Sequence, residues 1–414
     1  MGLESVRFTS PLLLDLMKNP CFLLALAGCT GMLGMAGIAR AQSSVTLYGD
    51  ADASFDAISV RGGGRPALRY NRVSINGAVL GFKGREALGN DTAALFQFES
   101  NVSFDTGGAI GTSRSSFVGL TGAWGTLIMG RFTGPARLFG IGFDVNTTND
   151  SIASGNAILG KLGGKLASNP GVRSAVTSSR FDTNLPNALA YRSPTFHDWQ
   201  WYGVYSANEK KSLAAGQTAN VSTLAQGLTW QSGGWQASGV FERVGEKNAA
   251  GVAGIAGVGS DEIITESRLG VLWQGDAVSV RGVVARTQAS GQLATGRAAV
   301  YQRVWGAGVT WDVQPNHRLT SQVYRALNLS GSALGEPGST FLGSAGTGAR
   351  LITLGYEWHA TKRTLLKANY AFLRNGDYTA SLGGGGYDFG KTATGFRGDG
   401  MILSGLQLGM RLDF

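Results

Sequence analysis

Residues 406–414, the last nine of the chain, restrict its fold more than any other stretch. Apolar side chains occupy every second position, namely Leu406, Leu408, Met410, Leu412 and Phe414, and polar residues or glycine stand between them. Such a period of two predicts a β-strand with one apolar and one polar face. The strand reaches the terminal aromatic carboxylate without a polar tail, which is typical of the closing strand of a barrel in hydrocarbon. There the last strand must pair with the first, because no unpaired backbone edge is tolerated.

The first strand has the matching pattern. Apolar or small residues alternate with polar ones over residues 45–57, and the outer set is Val45, Leu47, Gly49, Ala51, Ala53, Phe55 and Ala57. Most of these side chains are too small to present a good surface to lipid tails, so we expect this wall to pack on another copy of the chain. A wall of small residues that faces lipid is the alternative.

The amino-terminal segment has the pattern of a signal peptide. Lys18 precedes an apolar run over residues 21–38, and the small residues Ala39 and Ala41 stand at the positions that a signal peptidase reads. We therefore expect residues 1–41 to be removed and residues 42–414 to form the mature domain, beginning at Gln42.

Three alternatives for this segment stay open. Met17 is a second candidate start, because residues 1–16 contain two acidic residues and make a poor basic region. The apolar run is long enough for a membrane-anchoring helix. Cys29, which follows Leu26, Ala27 and Gly28, is a candidate lipidation site.

Composition supports a membrane barrel. Both cysteines lie in the leader, so the exported chain has no disulfide or thiolate metal site. Removing the leader changes the net charge from 36 − 27 = +9 to 33 − 25 = +8. Only 15% of residues are charged and 64 are glycine, while no long apolar run follows the leader. Basic charge alone is compatible with nucleic-acid binding, but an exported chain rarely meets nucleic acid, and we expect no such partner.

The connections predict an even number of strands. Seven short turns are predicted near residues 88–90, 122–125, 193–194, 232–234, 274–276, 314–316 and 360–363. Eight longer polar connections are predicted at residues 61–69, 101–113, 132–179, 207–219, 245–261, 289–297, 329–349 and 375–400. Together they predict an all-β, transmembrane antiparallel β-barrel of about 16 strands with short periplasmic turns and long external loops. Five tryptophans stand beside the turns, where an interfacial girdle belongs: Trp124, Trp199, Trp235, Trp311 and Trp358.

Several short motifs, in order, resemble one family. They are residues 44–49, 80–84, 96–99 and 117–120, then Gly122, Gly125, Leu127, Gly130 and Arg131, then Asn187, Tyr191, Ser193 and Pro194, and finally residues 362–364 and Phe414. In this order the chain resembles the general-diffusion porins of Gram-negative outer membranes, of the proteobacterial type. It departs from the family at Leu412, where histidine is common, and at Ala87, where aspartate is frequent.

The resemblance implies a passive, water-filled channel in the outer membrane, assembled as a homotrimer. It implies as partners the outer-membrane lipid, small hydrophilic solutes and, during biogenesis, the barrel-assembly machinery, with Phe414 as the assembly signal. It also implies that the third external loop folds inward as a constriction. Residues 132–179 form the longest connection, and their apolar stretch at 139–143 is unusual for a loop in water. A mobile surface loop is the alternative.

Basic residues predict the ion preference of the channel. Alternation places Arg72, Arg114 and Arg180 on wetted faces. Arg131 falls on the apolar face by alternation, and we place it in the pore because it matches the family's constriction arginine; a bulge would reconcile the two. Arg192 near the turn rim is the fifth candidate.

The opposing acidic side is predicted from the long connection, with Asp144 and Asp150. Its basic residues Arg137, Lys161, Lys165 and Arg173 outnumber these aspartates. We therefore expect anions to be favoured. The alternative is that the arginines only brace the wall and the loop through salt bridges.

Enzyme and cofactor patterns are weak in this chain. Gly385, Gly390, Lys391 and Thr392 have phosphate-loop spacing but lack the strand before and the helix after that such a loop needs. The three histidines stand beside predicted turns and suggest no triad. The row Asp50, Asp52 and Asp56 is more simply a wetted wall than a Ca²⁺ site. We expect no catalytic residue, metal or cofactor; a substrate-selective porin and a non-channel binding or adhesin barrel are the alternatives.

Overall fold

The computed structural model describes residues 44–108, 110–111, 114–147, 151–163, 179, 181–207, 221–249, 260–339, 341–377, 386–389 and 400–414. The predicted signal peptide, Asp150, Arg180 and the phosphate-loop spacing lie outside these residues. Within them, no helix is both long and apolar enough to cross a membrane.

Most of the described residues lie in antiparallel strands. Their bounds are β1 Ser44–Gly62, β2 Arg65–Ile75, β3 Val79–Gly89, β4 Thr92–Asn101, β5 Ser116–Gly122, β6 Gly125–Thr133, β7 Asn184–Arg192, β8 Trp199–Ser206, β9 Val221–Ser232, β10 Trp235–Ala249, β11 Ser260–Gln274, β12 Val278–Leu293, β13 Gly296–Gln314, β14 His317–Ala326, β15 Ala349–His359, β16 Thr364–Asn375 and β17 Ile402–Asp413. Between β6 and β7, the described residues include the α-helix α1 Pro135–Phe143 and the 3-10 helix Gly155–Ala157.

The segments β2 and β3 are two halves of one bent strand. Both pair with β1, β2 along its second half and β3 along its first. The bend contains Gly77, whose φ of 92° favours glycine. Asn76 fixes it, because its side-chain amide donates to Asp52 Oδ1 at 3.0 Å and to Ser54 Oγ at 2.6 Å. The described segments therefore form the sixteen strands that the sequence predicted.

The barrel closes where the sequence predicted, between β1 and β17. Asp50 lies opposite Asp413, and the register continues without a break to Arg61 opposite Ile402. Each remaining strand pairs with its neighbour in the chain, so the sheet forms a ring without a free edge.

The predicted alternation of faces is confirmed on both closing strands. On β17, Leu408 is 53% exposed on the outer face, whereas Gln407 beside it is 0% exposed on the inner face. On β1, Asp52 and Asp56 are buried inside and Phe55 between them is exposed. The outer face is thus apolar and the inner face polar, as the alternation of a channel barrel requires.

All seven predicted turns connect consecutive strands at one rim. Two of the eight predicted long connections are wrong: residues 61–69 and 289–297 are mostly strand, joined by the two-residue turns at Gly63 and Gly64 and at Ala294 and Thr295. Their polar residues belong to strands, so polarity alone did not mark a loop.

The five tryptophans that were assigned to the girdle are all exposed at the short-turn ends of their strands. Further indoles join them, because Trp230 stands 6.5 Å from Trp199 and Trp273 stands 6.4 Å from Trp235 between ring centroids. This is the position of an aromatic belt at the membrane interface.

Candidate functional site

The described residues of the connection between β6 and β7 turn into the barrel. We call its residues 134–183 the lumen segment; Phe132 and Thr133, which the sequence analysis assigned to this loop, complete β6 instead. Gly134 precedes α1, and Pro135 occupies the first turn, where its missing N–H costs nothing.

Helix α1 packs on the inner wall through its aromatic side chains. Phe139 and Phe143 stack with ring centroids 4.4 Å apart. Their rings cover Gly270 of β11, where an added Cβ would come within 2.8 Å of both. Arg268, two residues earlier on the same inner face, donates from Nη1 to the carbonyl oxygen of Ala136 at 2.8 Å. The helix is therefore held by ring stacking on bare backbone and by one buried guanidinium.

The later part of the lumen segment packs farther around the wall. Ile152 packs against Gly405 of β17. A Cβ atom added to Gly405 would lie 2.8 Å from Cδ1 of Ile152. Ile158, Leu159 and Leu162 are buried in the same core. Burying such side chains contributes roughly 1.5–3 kcal/mol each. The described part of the segment is thus an internal apolar core rather than a surface loop.

Asp144 anchors the segment just after α1. One carboxylate oxygen accepts hydrogen bonds from Asn146 and from Gln322 of β14, and the other accepts from Ser154 and Gly155. Arg281 of β12 donates to the backbone carbonyl of Asp144. Burial raises the pKa of the Asp144 carboxyl, and the hydrogen bonds from Asn146, Gly155 and Ser154 oppose this shift.

These contacts give Asp144 a different place from the one that the sequence analysis expected. Its side chain is buried and satisfied by donors of the wall and the segment, so it does not line open lumen. Asp150, the second expected acid, lies outside the described residues.

Buried charges surround the start of α1. Arg137 lies 3.5 Å from Asp182 between Nη1 and Oδ1. Glu242 of β10 and Glu266 of β11 stand directly opposite each other, and Arg268 donates to Glu266 at 2.9 Å. The Arg137–Asp182 pair therefore lies within the lumen segment and the Arg268–Glu266 pair lies within β11, and both pairs are buried away from solvent.

Open space remains on the other side of α1. Leu138 and Ile141 are exposed on the free face of the helix. A cavity of about 490 Å³ separates Leu138 from the inner wall of β3 to β8. Its polar lining includes Lys83, Arg85 and Arg192, and its lining contains no carboxylate.

These three cations differ from seven other basic residues of the chain. None of them forms a salt bridge with a residue in the described ranges, whereas Arg72, Arg114, Arg137, Arg268, Arg318, Lys367 and Arg411 all do. Lys83 lies 4.9 Å from the ring centroid of Tyr48, and the guanidinium of Arg192 lies 5.3 Å from that of Tyr202. We call Lys83, Arg85 and Arg192 the cationic wall.

Two other arginines that the sequence analysis proposed for the pore face inward but are paired. Arg72 Nε lies 2.9 Å from Asp56 Oδ2. Arg114 Nε lies 4.0 Å from Glu99 Oε2, and its Nη1 donates to Asn101. Their charge is largely offset by these partners.

Arg131 is not brought to the cationic wall. Met129 is exposed outside and Phe132 is buried inside, so alternation keeps Arg131 on the outer face. The expected bulge is present, but Pro186 and Asn187 stand opposite Arg131, so the extra residue is in β7 and β6 continues its alternation. Arg180 lies outside the described residues.

The aspartate row of β1 has cationic partners. Asp52 accepts from Lys367, Asp56 pairs with Arg72, and Asp50 lies 3.6 Å from Arg411. No group of three His, Cys, Asp or Glu side chains suited to a metal ion occurs among the described residues.

Lys83 and Arg85 were missed as pore residues, although their signal was present. Phe82 faces outward, so alternation places both neighbours, Gly81 and Lys83, on the inner face and Arg85 after them. What the sequence lacked was any sign that these cations have no partner, since that depends on strands far away in the chain.

Comparisons with known proteins agree with this architecture. A family described as Gram-negative porin matches residues 24–378. Outer membrane porin protein 32 of Delftia acidovorans is 26% identical over 388 residues, which cover 90% of this chain and 96% of that protein. Major outer membrane protein P.IA of Neisseria meningitidis serogroup C is 39% identical over 30% of this chain and 27% of that protein.

Solved structures share the fold. The anion-selective porin from Comamonas acidovorans superposes with a TM-score of 0.67 at 22% identity, covering 90% of this chain and all of that one. The trimer form of OmpT of Vibrio cholerae gives a TM-score of 0.58 at 11% identity over 90% of this chain and 99% of that one. Fold, family match and relatives together show that this chain belongs to the Gram-negative porin family of outer-membrane channels.

Proposed function

We propose that the protein is a passive, water-filled diffusion channel for small hydrophilic solutes and ions that favours anions and works as a homotrimer. The cationic wall carries the ion preference in this proposal. Three cations that form no salt bridge within the described residues face the free side of α1 across a cavity whose lining has no carboxylate. Charged groups at a constriction bias which ion enters.

The lumen segment is the constriction in this proposal. Its described residues are tied to the wall by buried apolar side chains and by Asp144. A segment held in this way fills part of the lumen, so the remaining water path runs beside the cationic wall. Because the narrowest part of a tube dominates its resistance, this side determines both conductance and ion preference.

The outer face of β1 supports assembly into a homotrimer. Ala51, Ala53 and Ala57 give it little side-chain volume at the points where a second wall would approach. Small residues allow close approach of backbones in a membrane. The structure named as a trimer form of OmpT has the same fold.

The test is the zero-current potential of single channels in a planar bilayer under a KCl gradient. Wild type should give the sign of an anion-preferring pore. Replacing the cationic wall with Lys83→Gln, Arg85→Gln and Arg192→Gln should move the potential toward the cation side. The matched control is Arg243→Gln, which removes an exposed charge from the outer face of β10.

Each outcome decides the proposal. A cation-selective wild type, or a triple variant with the wild-type potential, refutes the anion preference of the cationic wall. Correctly folded protein without stepwise conductance refutes the channel and favours an adhesin or binding barrel. Conductance that saturates with one solute at low concentration favours a substrate-selective porin.

A further inference from the structure

The cavity beside α1 has an apolar part that the ion preference does not use. Besides the cationic wall, carbon-rich side chains of four strands and of α1 line it: Leu95, Phe117, Ile128, Phe132, Leu138 and Ala190. The interior of a water-filled barrel is normally polar. The inner wall on the open side of α1 therefore has a composition that passage of water and small ions does not explain.

Strand register joins this surface into one row. Leu95 of β4 lies directly opposite Arg85 of β3 and Gly119 of β5. Ile128 of β6 lies directly opposite Gly119 and Ala190 of β7. We call Leu95, Gly119, Ile128 and Ala190 the apolar strip. It starts beside a guanidinium group and crosses four strands, which is roughly 14 Å from the first to the last at the usual strand spacing.

The strip faces the cavity without a gap. Val118 and Leu120, on either side of Gly119, are exposed on the outer face, as is Met129 next to Ile128. A Cβ atom added to Gly119 would lie 2.6 Å from Cγ2 of Ile128, so this methyl group covers the bare backbone. The inner face of these strands is thus continuous carbon surface.

Two further side chains border the strip. Leu138 reaches toward it from α1 and is 36% exposed. Phe117 lies two residues from Gly119 on the same face of β5, and its ring meets that of Phe132 edge-on, with the centroids 6.2 Å apart at 80°. A flat apolar group between Leu138 and the strip would contact carbon on both of its faces, and covering apolar surface in this way is favourable.

Cations stand at both ends of the strip. Lys83 and Arg85 lie on β3 at one end, and Arg192 lies two residues beyond Ala190 on the same face of β7 at the other. Guanidinium groups bind carboxylates through two parallel hydrogen bonds, and the described residues that line the cavity include no acidic side chain. Carbon surface with a few convergent charged donors is typical of a site for an organic ligand.

We propose that the cavity binds a small aromatic carboxylate, with its carboxylate on Arg85 and Lys83 and its ring between the apolar strip and Leu138. An anion without a ring leaves the apolar surface wet, and a neutral aromatic molecule leaves the cations without a partner. The inference rests on the proposed channel, because the ligand reaches the cavity through the water path. It narrows the favoured solutes to organic anions with an apolar ring.

The experiment measures the block of single-channel chloride current in a planar bilayer. Potassium benzoate, potassium acetate and benzyl alcohol are titrated separately at constant KCl, and the concentration that halves the current is determined for each. The same titrations use the double variant Leu138→Gln and Ile128→Thr, which makes the cavity more polar without a change of charge. Ile141→Gln is the matched control, because Ile141 is exposed on the same free face of α1 but is not among the residues that line the cavity.

In wild type, benzoate should halve the current at a concentration about tenfold or more below that of acetate or benzyl alcohol, since each of these lacks one half of the contacts. The double variant should need about tenfold more benzoate than wild type, because the ring loses its apolar cover. Lys83→Gln with Arg85→Gln should weaken the benzoate block by a similar factor. Ile141→Gln should be blocked by benzoate like wild type.

Several results overturn the proposal. Equal block of wild type by benzoate and acetate refutes the aromatic ligand, and equal block by benzoate and benzyl alcohol refutes the carboxylate contact. A wild-type benzoate block in the double variant, or an equal loss in Ile141→Gln, refutes the assignment to this cavity. If the double variant forms no channels, Leu138→Gln alone, on the exposed face of the helix, takes its place with the same criterion.

The zero-current potential of the same wild-type channels separates the two proposals. An anion-preferring potential without a distinct benzoate block refutes this inference and leaves the proposed function intact. A cation-preferring potential refutes the anion preference of the proposed function itself.

Discussion

Phe414, the last residue, and Gly49 in β1 donate backbone hydrogen bonds to each other, at 3.0 and 3.1 Å. The Phe414 ring also lies over Gly49, where an added Cβ would come within 2.7 Å of the ring. The two ends of the barrel wall are therefore joined at one point by backbone and side chain together. A terminal aromatic residue and a residue without a side chain are both required for this contact.

The first prediction concerns this contact. Phe414→Asp, or deletion of Phe414, should strongly reduce the amount of folded protein in the outer membrane, because the last hydrogen-bonded pair of the closing seam and its apolar cover are lost. Gly49→Leu should do the same, since its side chain would meet Val79 O and the Phe414 ring. Heat-modifiable electrophoresis of membrane fractions measures the folded form. Ile110→Asp, at an exposed loop position, is the control, and normal levels in all three seam variants would falsify the prediction.

The second prediction concerns a buried ion pair beside the seam. Lys367 Nζ lies 2.6 and 2.7 Å from the two carboxylate oxygens of Asp52, and the side chains are 1% and 0% exposed. Lys367→Met alone or Asp52→Asn alone should cost roughly 3–5 kcal/mol of unfolding free energy, because each leaves a buried group without its counter-ion. The double variant should recover most of that loss. Urea unfolding in detergent gives the double-mutant cycle, and additive losses in the double variant would contradict the pairing.

The third prediction concerns the anchor of the lumen segment. Asp144→Ala removes an acceptor of hydrogen bonds from Gln322, Ser154 and Gly155. We expect larger and noisier single-channel currents, because the segment loses its carboxylate hydrogen bond to Gln322 of β14. Removing residues 141–165 should raise conductance further and without the noise. Channels of wild-type conductance after this deletion would show that the segment does not limit flow; Asp105→Ala, in an exposed external loop, is the control.

The fourth prediction concerns processing. Residues 39–41 have the small residues of a signal-peptidase site. Mass spectrometry of protein from outer-membrane fractions should give a chain that begins at Gln42 without a lipid adduct. A diacylated cysteine at position 29 would instead establish lipidation, and a mass that includes residues 17–41 would establish a retained anchor.

The sequence alone determined the faces of the barrel wall. Because side chains alternate strictly along a strand, Leu408 and Gln407 were assigned correctly to lipid and lumen from their order alone. The positions of the seven tight turns and of the tryptophans beside them could also be predicted from the sequence, because the residue preferences of turns and of the membrane interface are local properties. Loop lengths were harder to predict: residues 61–69 and 289–297 are polar yet mostly strand, and polarity does not distinguish such a strand from a loop.

Only the tertiary structure decided which charges are free. Arg72 and Lys83 are both inward cations by alternation, yet Arg72 meets Asp56 on the neighbouring strand and Lys83 meets no carboxylate in the described chain. Asp144 was expected to face the pore, but donors from β12 and β14, more than a hundred residues away in the chain, surround it. Similarly, Arg325 and Arg350 lie 25 residues apart in the sequence and stand opposite each other only through strand register. Pairing across strands depends on distances between remote segments, which a one-dimensional pattern does not contain.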